Sequence, residues 1–324
     1  MTLTKLSRAK GAMAGLAIGD ALGRPVEGLS AEEIRKNYGS ISDFLSQTPG
    51  GSDDTEYAIL TGRALVKYGS SITAEDFARE WLEQVCYQSE EFLGAGFSES
   101  SAIANLKSGL LPPQSGKHIH SWSDGLAMRV APIGIVGTGD IEKTKRITIA
   151  DGQVSHSGEG IHSGVAIATA ISAAMSGKNY RETFDIAQQS IPENSWTYRN
   201  IEDVKKIVTE NETEEVHVIA DKLLAKIATH DYSFADLAPE AASLALSALL
   251  YGRGDFVRTL LFAVNLGRDA DTIAAMAGAM VGTIVGYEAI PEHWRLTVNE
   301  VQGSCLAFTK GMNPVALAAE LIEL

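Results

Sequence analysis

The chain has 324 residues, 45% of them hydrophobic and 21% charged, and a formal net charge of −14. That length buries a sizeable core, and the composition is that of a globular protein rather than a disordered one. The acidic balance, without any Lys/Arg cluster, argues against a nucleic-acid or anionic-membrane surface, because phosphates are held chiefly by basic side chains; a small molecule or a protein is the expected partner. Cys86 and Cys305 are the only cysteines and have no metal-ligand spacing. Neither a disulfide framework nor a thiolate zinc site is expected, and a reducing cytoplasm is the simplest compartment.

In chain order, helical signals dominate. Lys5, Arg8 and Lys10 precede an apolar stretch at 11–19 in the manner of a signal peptide. Its glycines, the break at Asp20 and the lack of a convincing cleavage site argue instead for a helix at 12–22. Length, periodicity and Ala/Leu content predict further helices at 56–68, 74–87, 164–175, 181–189, 213–229, 240–251, 256–266, 272–287 and 314–324. Thr73 with Asp76, and Ser233 with Asp236, resemble capping boxes with Asp in place of Glu. The run 129–136 reads as the one candidate buried strand. No segment reaches the ~20 apolar residues of a bilayer span, so no membrane is expected. Small residues at 12–17, 164–174 and 274–282 permit close backbone approach and mark candidates for the centre of the assembly. With no linker composition and no repeat period, the expectation is one all-α domain over 1–324.

Two acidic segments more than two hundred residues apart stand out: Ser52-Asp53-Asp54-Thr55 and Asp269-Ala270-Asp271-Thr272. Each precedes an apolar helix. Taken singly, each is ordinary helix punctuation, since Ser, Thr and Asp cap helices and acids in a first turn favour the dipole. Repetition of the pattern points to two halves of one site. Four converging carboxylates need cations among them, and oxygen ligands of this kind suit a pair of Mg²⁺ or Mn²⁺ ions.

The chain resembles the ADP-ribosylglycohydrolase family, whose members include the dinitrogenase reductase-activating glycohydrolase and the ADP-ribosyl-arginine and ADP-ribosyl-serine hydrolases. The resemblance rests on four segments: Gly15 through Gly23, Ser52 through Thr55, Met128 through Gly134 and Gly267 through Thr272. It implies an all-α fold with a two-metal site in a central cleft and hydrolysis of an N- or O-glycosidic bond to ribose. Carried over, the metal ligands are Ser52, Asp53, Asp54, Asp269, Asp271 and Thr272, with Ser52 standing where the family usually has Thr. Glu27 matches a loop glutamate over the metals and is the first candidate for the acid that protonates the leaving group, with Asp54 second. The cluster aspartates, Asp269 among them, are candidates for the base or for positioning water. The substrate contacts implied are Asp20, Ser123, Asp124, Gly125, Met128, His156 and Arg268.

Several of these residues carry alternatives. His156 is either a substrate contact or a structural histidine. His118 and His120 read as loop residues rather than a zinc pair, and Trp122 either stacks on a base or packs in the core. The turn at 252–255 joins two helices. Asp124 stands where Asn is common and Arg268 where Gly is common. Arg268 would be the partner of Asp124, a diphosphate ligand, or a plug in the groove for ADP-ribose. The leading function is a two-metal hydrolase of ADP-ribosylated protein side chains. A metabolic N-glycosidase acting on a nucleoside or small sugar-amine conjugate is the alternative, and a catalytically silent crystallin-like binding protein is a third.

Overall fold

Two helices rich in glycine and alanine, Lys5–Gly23 and Ala270–Val285, run antiparallel at the centre of the structure, a computed structural model that describes residues 3–88, 96–232 and 234–324. Gly11, Gly15, Gly19 and Gly23 face Gly282, Gly278, Ala274 and Ala270 in turn. A Cβ at Gly15 would stand 2.0 Å from the Gly278 carbonyl oxygen, and one at Gly278 would stand 2.1 Å from that of Gly15. The two backbones touch, so both positions exclude any side chain. The antiparallel register has a consequence for chemistry: it sets the C-terminal end of the first helix, with Asp20, against the N-terminal end of the second, with Asp271.

Around this pair the helices Glu159–Met175, Ala238–Gly252 and Phe256–Asn265 pack on one side, and Asp53–Tyr68 with Pro314–Leu321 on the other. One apolar core takes in residues from Ala9 to Leu321. Among the described residues there are sixteen α-helices and no β-strand, only isolated bridges pairing Ser30 with Gly267 and Ser123 with Leu237. No helix of the described residues is long and apolar enough to cross a membrane.

The expected strand at 129–136 is a helix. A 3₁₀ turn, Ala127–Arg129, leads into the helix Ala131–Gly137, with Pro132 in its first turn, where no N–H is needed. All seven helical residues are buried, so the run shows no polar face and its helical period is invisible. The helix expected at 74–87 ends at Trp81 and loosens into a π turn, Leu82–Cys86. Five helices were not predicted: Ala31–Tyr38, Phe97–Lys107, Ile141–Ser155, Trp196–Glu210 and Glu292–Thr297. The Thr73–Asp76 capping box forms in both directions. Ser233, half of the other expected box, lies outside the described residues.

Candidate active site

Both acidic segments sit at helix N-termini, yet neither acts as a side-chain cap. Ser52 is the N-cap residue of Asp53–Tyr68 and Asp269 that of Ala270–Val285, and neither side chain makes a capping hydrogen bond to a backbone N–H of its helix. They turn toward each other instead. The Ser52 hydroxyl lies 2.9 Å from carboxylate oxygens of both Asp20 and Asp54, and 3.5 Å from one of Asp271. This geometry decides against punctuation as the sole role of the two segments.

The carboxylates form two adjacent oxygen cages. Asp20, Asp54 and Asp271 bring one oxygen each within 4.8 Å of one another, and so do Glu27, Asp269 and Asp271. Asp271 belongs to both. Oδ1 of Asp54 and Oδ1 of Asp271 are buried without a hydrogen-bond partner among the described residues. Buried, unpartnered carboxylate oxygens in two linked cages fit a pair of hard divalent cations.

Above the cages opens a cleft of about 450 Å³. Asp53, Asp269, Asp271 and Thr272 line its floor, the loop of Glu27 and Gly28 its rim, and Ser123, Asp124, Gly125 and Met128 one wall. The remaining wall comes from Phe97, Glu99, Phe234 and Asp236, which sequence reasoning missed. Glu99 is a lone acid in a segment without a motif and Asp236 reads in the sequence only as half of a capping box, and only tertiary packing brings both to the cleft. Gly125 carries one weak signal: a Cβ there would stand 2.1 Å from Glu99 Oε1.

Three expected substrate contacts are placed elsewhere. Asp20 is fully buried behind the first segment, accepting from the Ser52 N–H at 2.8 Å, the Thr55 N–H at 3.1 Å and both hydroxyls. It orients that segment rather than lining the cleft. His156, 1% exposed, sits behind the wall, with Nε2 3.1 Å from the Ser123 hydroxyl and Nδ1 2.7 Å from that of Ser155. Arg268 partners neither Asp124 nor the cleft. Its guanidinium binds the buried carboxylate of Glu240, at 2.6 Å from Nε. Its backbone, at φ 63°, pairs with the Glu27 loop: Gly28 N–H donates to the Arg268 carbonyl and Arg268 N–H to that of Leu29, both at 2.8 Å.

Other residues resolve in the same way. His118 bonds the Ser155 carbonyl and His120 the Tyr232 hydroxyl, as loop residues do. Trp122 is 48% exposed beside Trp196, not in the core. Behind the Ser123–Gly125 wall, Arg129 is wholly buried, binds both oxygens of Asp151 at 3.2 and 3.0 Å, and donates to the Gly125 carbonyl at 2.9 Å. That network fixes the wall.

Charge is concentrated here. Burial, then the fields of Asp20, Asp53 and Asp269, raises Asp54 well above the usual carboxylate range. Asp271 is raised in the same way by burial and then by Asp54 and Asp269. Asp53 is pushed up to about 8 by burial, then by Glu99 and Asp20. Glu27 is raised by partial burial and then by Asp269 and Asp20. His156 is held well below its ordinary value by burial and then by Arg129, so it stays neutral.

Two acidic helix N-termini of an all-α frame thus meet beneath one cleft. The family model for ADP-ribosylglycohydrolase matches residues 1–322, and the chain belongs to that family. It is 33% identical to an uncharacterized protein of Archaeoglobus fulgidus, over 86% of this chain and 88% of that one. It is 25% identical to ADP-ribosylhydrolase ARH3 of Homo sapiens, over 90% and 88% of the two chains. With ADP-ribosylarginine hydrolase Tri1 of Pseudomonas putida it shares 25% identity over 89% and 73%. A solved ADP-ribosylglycohydrolase-related protein complex has the same fold, with a TM-score of 0.69, 22% identity and 98% coverage of both chains.

Proposed function

We propose that the chain is a two-metal glycohydrolase that cleaves a ribosyl N- or O-glycosidic bond, with ADP-ribosylated protein side chains as the family-level substrate. The observation that carries this reading is the pair of carboxylate cages joined at Asp271 beneath an open cleft. Asp54, Asp269 and Asp271 would hold the cations, with Ser52, Asp53 and Thr272 beside them and Asp20 and Glu27 completing the cages. Bound Mg²⁺ or Mn²⁺ would orient ribose hydroxyls and make water acidic enough to supply hydroxide near neutral pH.

The protein's own groups do the rest. Asp20 holds Ser52 and Thr55, and so aims the first segment at the second. The Gly28–Arg268 pairing sets Glu27 at the mouth, where its raised affinity for protons suits an acid that protonates the leaving group. Carboxylates at the floor compensate the positive charge that develops on the sugar ring. With Cys86 and Cys305 free and buried, we place the protein in the reducing cytoplasm.

Calorimetric titration of ADP-ribose into the Mg²⁺- or Mn²⁺-saturated protein tests the substrate, because ADP-ribose is the product common to protein ADP-ribosyl hydrolases. Metal-dependent micromolar binding supports the family-level substrate; metal binding without ADP-ribose binding moves the reading to a smaller glycoside. Ribosyl turnover that persists after chelation, or in Asp54→Asn, would remove the two-metal mechanism itself.

A further inference from the structure

Another groove, of about 470 Å³, shares no lining residue with the cleft. It lies between the helix Val216–Ile227, the helix Phe256–Asn265 and the loop at 39–42 that follows Ala31–Tyr38. Ile41, Ala220, Leu261 and Phe262 give it an apolar floor. That floor is fixed from behind. The Asn265 carboxamide accepts from the Ile41 N–H at 2.8 Å and donates to the Ile41 carbonyl at 2.9 Å, and Tyr251 stacks on Phe262 with ring centroids 4.1 Å apart. A preformed hollow of this size and lining suits a small ligand with an apolar body.

The charged groups at its rim are cations. No Asp or Glu lines the groove, although the chain carries a net charge of −14. Arg35 is already paired with Asp221 at 3.0 Å. Arg258 is not paired: its guanidinium lies over the Tyr251 ring, 4.3 Å from the centroid, and meets no acceptor among the described residues. Asp255 caps the Arg258 backbone N–H instead. The helix Val216–Ile227 begins at the groove with Val216 and His217, and its N-cap residue Glu215 makes no side-chain capping bond. Glu214 and Glu215 precede that helix, but neither lines the groove. An arginine held flat on an aromatic ring keeps its edge N–H groups for a planar oxyanion, and a carboxylate takes two of them at once. The uncapped helix end favours the same charge. A cation or a neutral apolar molecule would gain nothing from either.

We infer that this groove is a binding site for a small amphipathic anion, with its carboxylate on Arg258 and its apolar body on the floor of Ile41, Ala220, Leu261 and Phe262. The site is separate from the chemistry proposed for the cleft, and neither depends on the other. An occupied groove nonetheless abuts the stretch that leads into the second acidic segment. Asn265, which ties down the floor, is followed by Gly267, bridged to Ser30, and by Arg268, paired with the Glu27 loop.

The test titrates the full chain calorimetrically with 2-naphthoate and with octanoate, an aromatic and an aliphatic body on the same head group, each compared with the alcohol and the amine of the same body. At least one carboxylate is expected to bind at one site per chain, at least about fivefold more tightly than its alcohol or amine, with the margin shrinking at high salt. Arg258→Gln removes the guanidinium and Val216→Glu sets a like charge at the rim; both positions are exposed, so the core is untouched. Each is expected to weaken binding at least about fivefold. No binding by either carboxylate, equal binding of the alcohol or amine, or binding unchanged in either variant would overturn the inference. Circular dichroism checks that both variants are folded. The titrations are made without divalent metal, so none of these outcomes bears on the two-metal reading.

Discussion

Arg268 holds a left-handed backbone conformation, at φ 63°, that glycine takes without strain, and its side chain neutralises a carboxylate with no exposure at all. Arg268→Gly should therefore destabilise the protein by about 2–3 kcal/mol, because a buried Glu240 without its cation outweighs the backbone relief. Arg268→Gly combined with Glu240→Ala should recover most of that loss, a non-additivity that urea unfolding would read directly. Additive losses would show that the pair is not coupled. Arg129→Leu carries a larger cost, about 3–5 kcal/mol, by leaving Asp151 buried and uncompensated. It should also loosen the Ser123–Gly125 wall, visible as faster amide exchange there. Sequence reasoning found Arg268 as a departure but could not choose its partner, since Glu240 reaches it only through the packing of two helices.

At the scale of elements, the central contact between Lys5–Gly23 and Ala270–Val285 positions the site, because it delivers Asp20 to Asp271. Gly15→Ala puts a methyl group against the Gly278 carbonyl and should cost about 3 kcal/mol or more, lowering the urea midpoint. A Gly15→Ala protein of unchanged midpoint would show that the helices can separate without penalty. This contact was legible in advance from the small residues at 12–17 and 274–282, as were most helices with a clear apolar stripe. Ala131–Gly137 was not, because a helix buried on every side presents the same unbroken apolar run as a buried strand. Ile141–Ser155 was missed for the opposite reason, its β-branched and charged residues masking the period. The floor of the site was legible because two motifs repeat. The far wall was not, because Glu99 and Asp236 acquire meaning only from the fold.

Across the whole molecule, the concentration of raised carboxylates links stability to pH. Asp53, Asp54, Asp271, Asp124 and Glu99 bind protons more tightly in the folded than in the unfolded chain. Stability of the chelator-treated protein should therefore fall as pH rises from the ordinary carboxylate range toward 8, the value reached by Asp53. His156 opposes this below its ordinary value, since the unfolded chain then takes a proton that the folded one refuses. One histidine does not offset five acids. Divalent cations bound in the cages as proposed would relieve the repulsion, so the rise in Tm on adding Mg²⁺ should be larger at pH 8 than at pH 5.5. At a hundredfold excess over Kd each bound ion should contribute about 2.7 kcal/mol. A chelated protein that is most stable at pH 8 would contradict this.

The shared position of Asp271 in both cages gives the account its most direct test, a calorimetric titration of Mn²⁺ into the chelator-treated protein and into Asp271→Ala. Two ions per chain in the wild type, with neither site retained in a folded Asp271→Ala, is the predicted result. One ion per chain, or two that survive the substitution, would contradict a two-metal centre built on that residue.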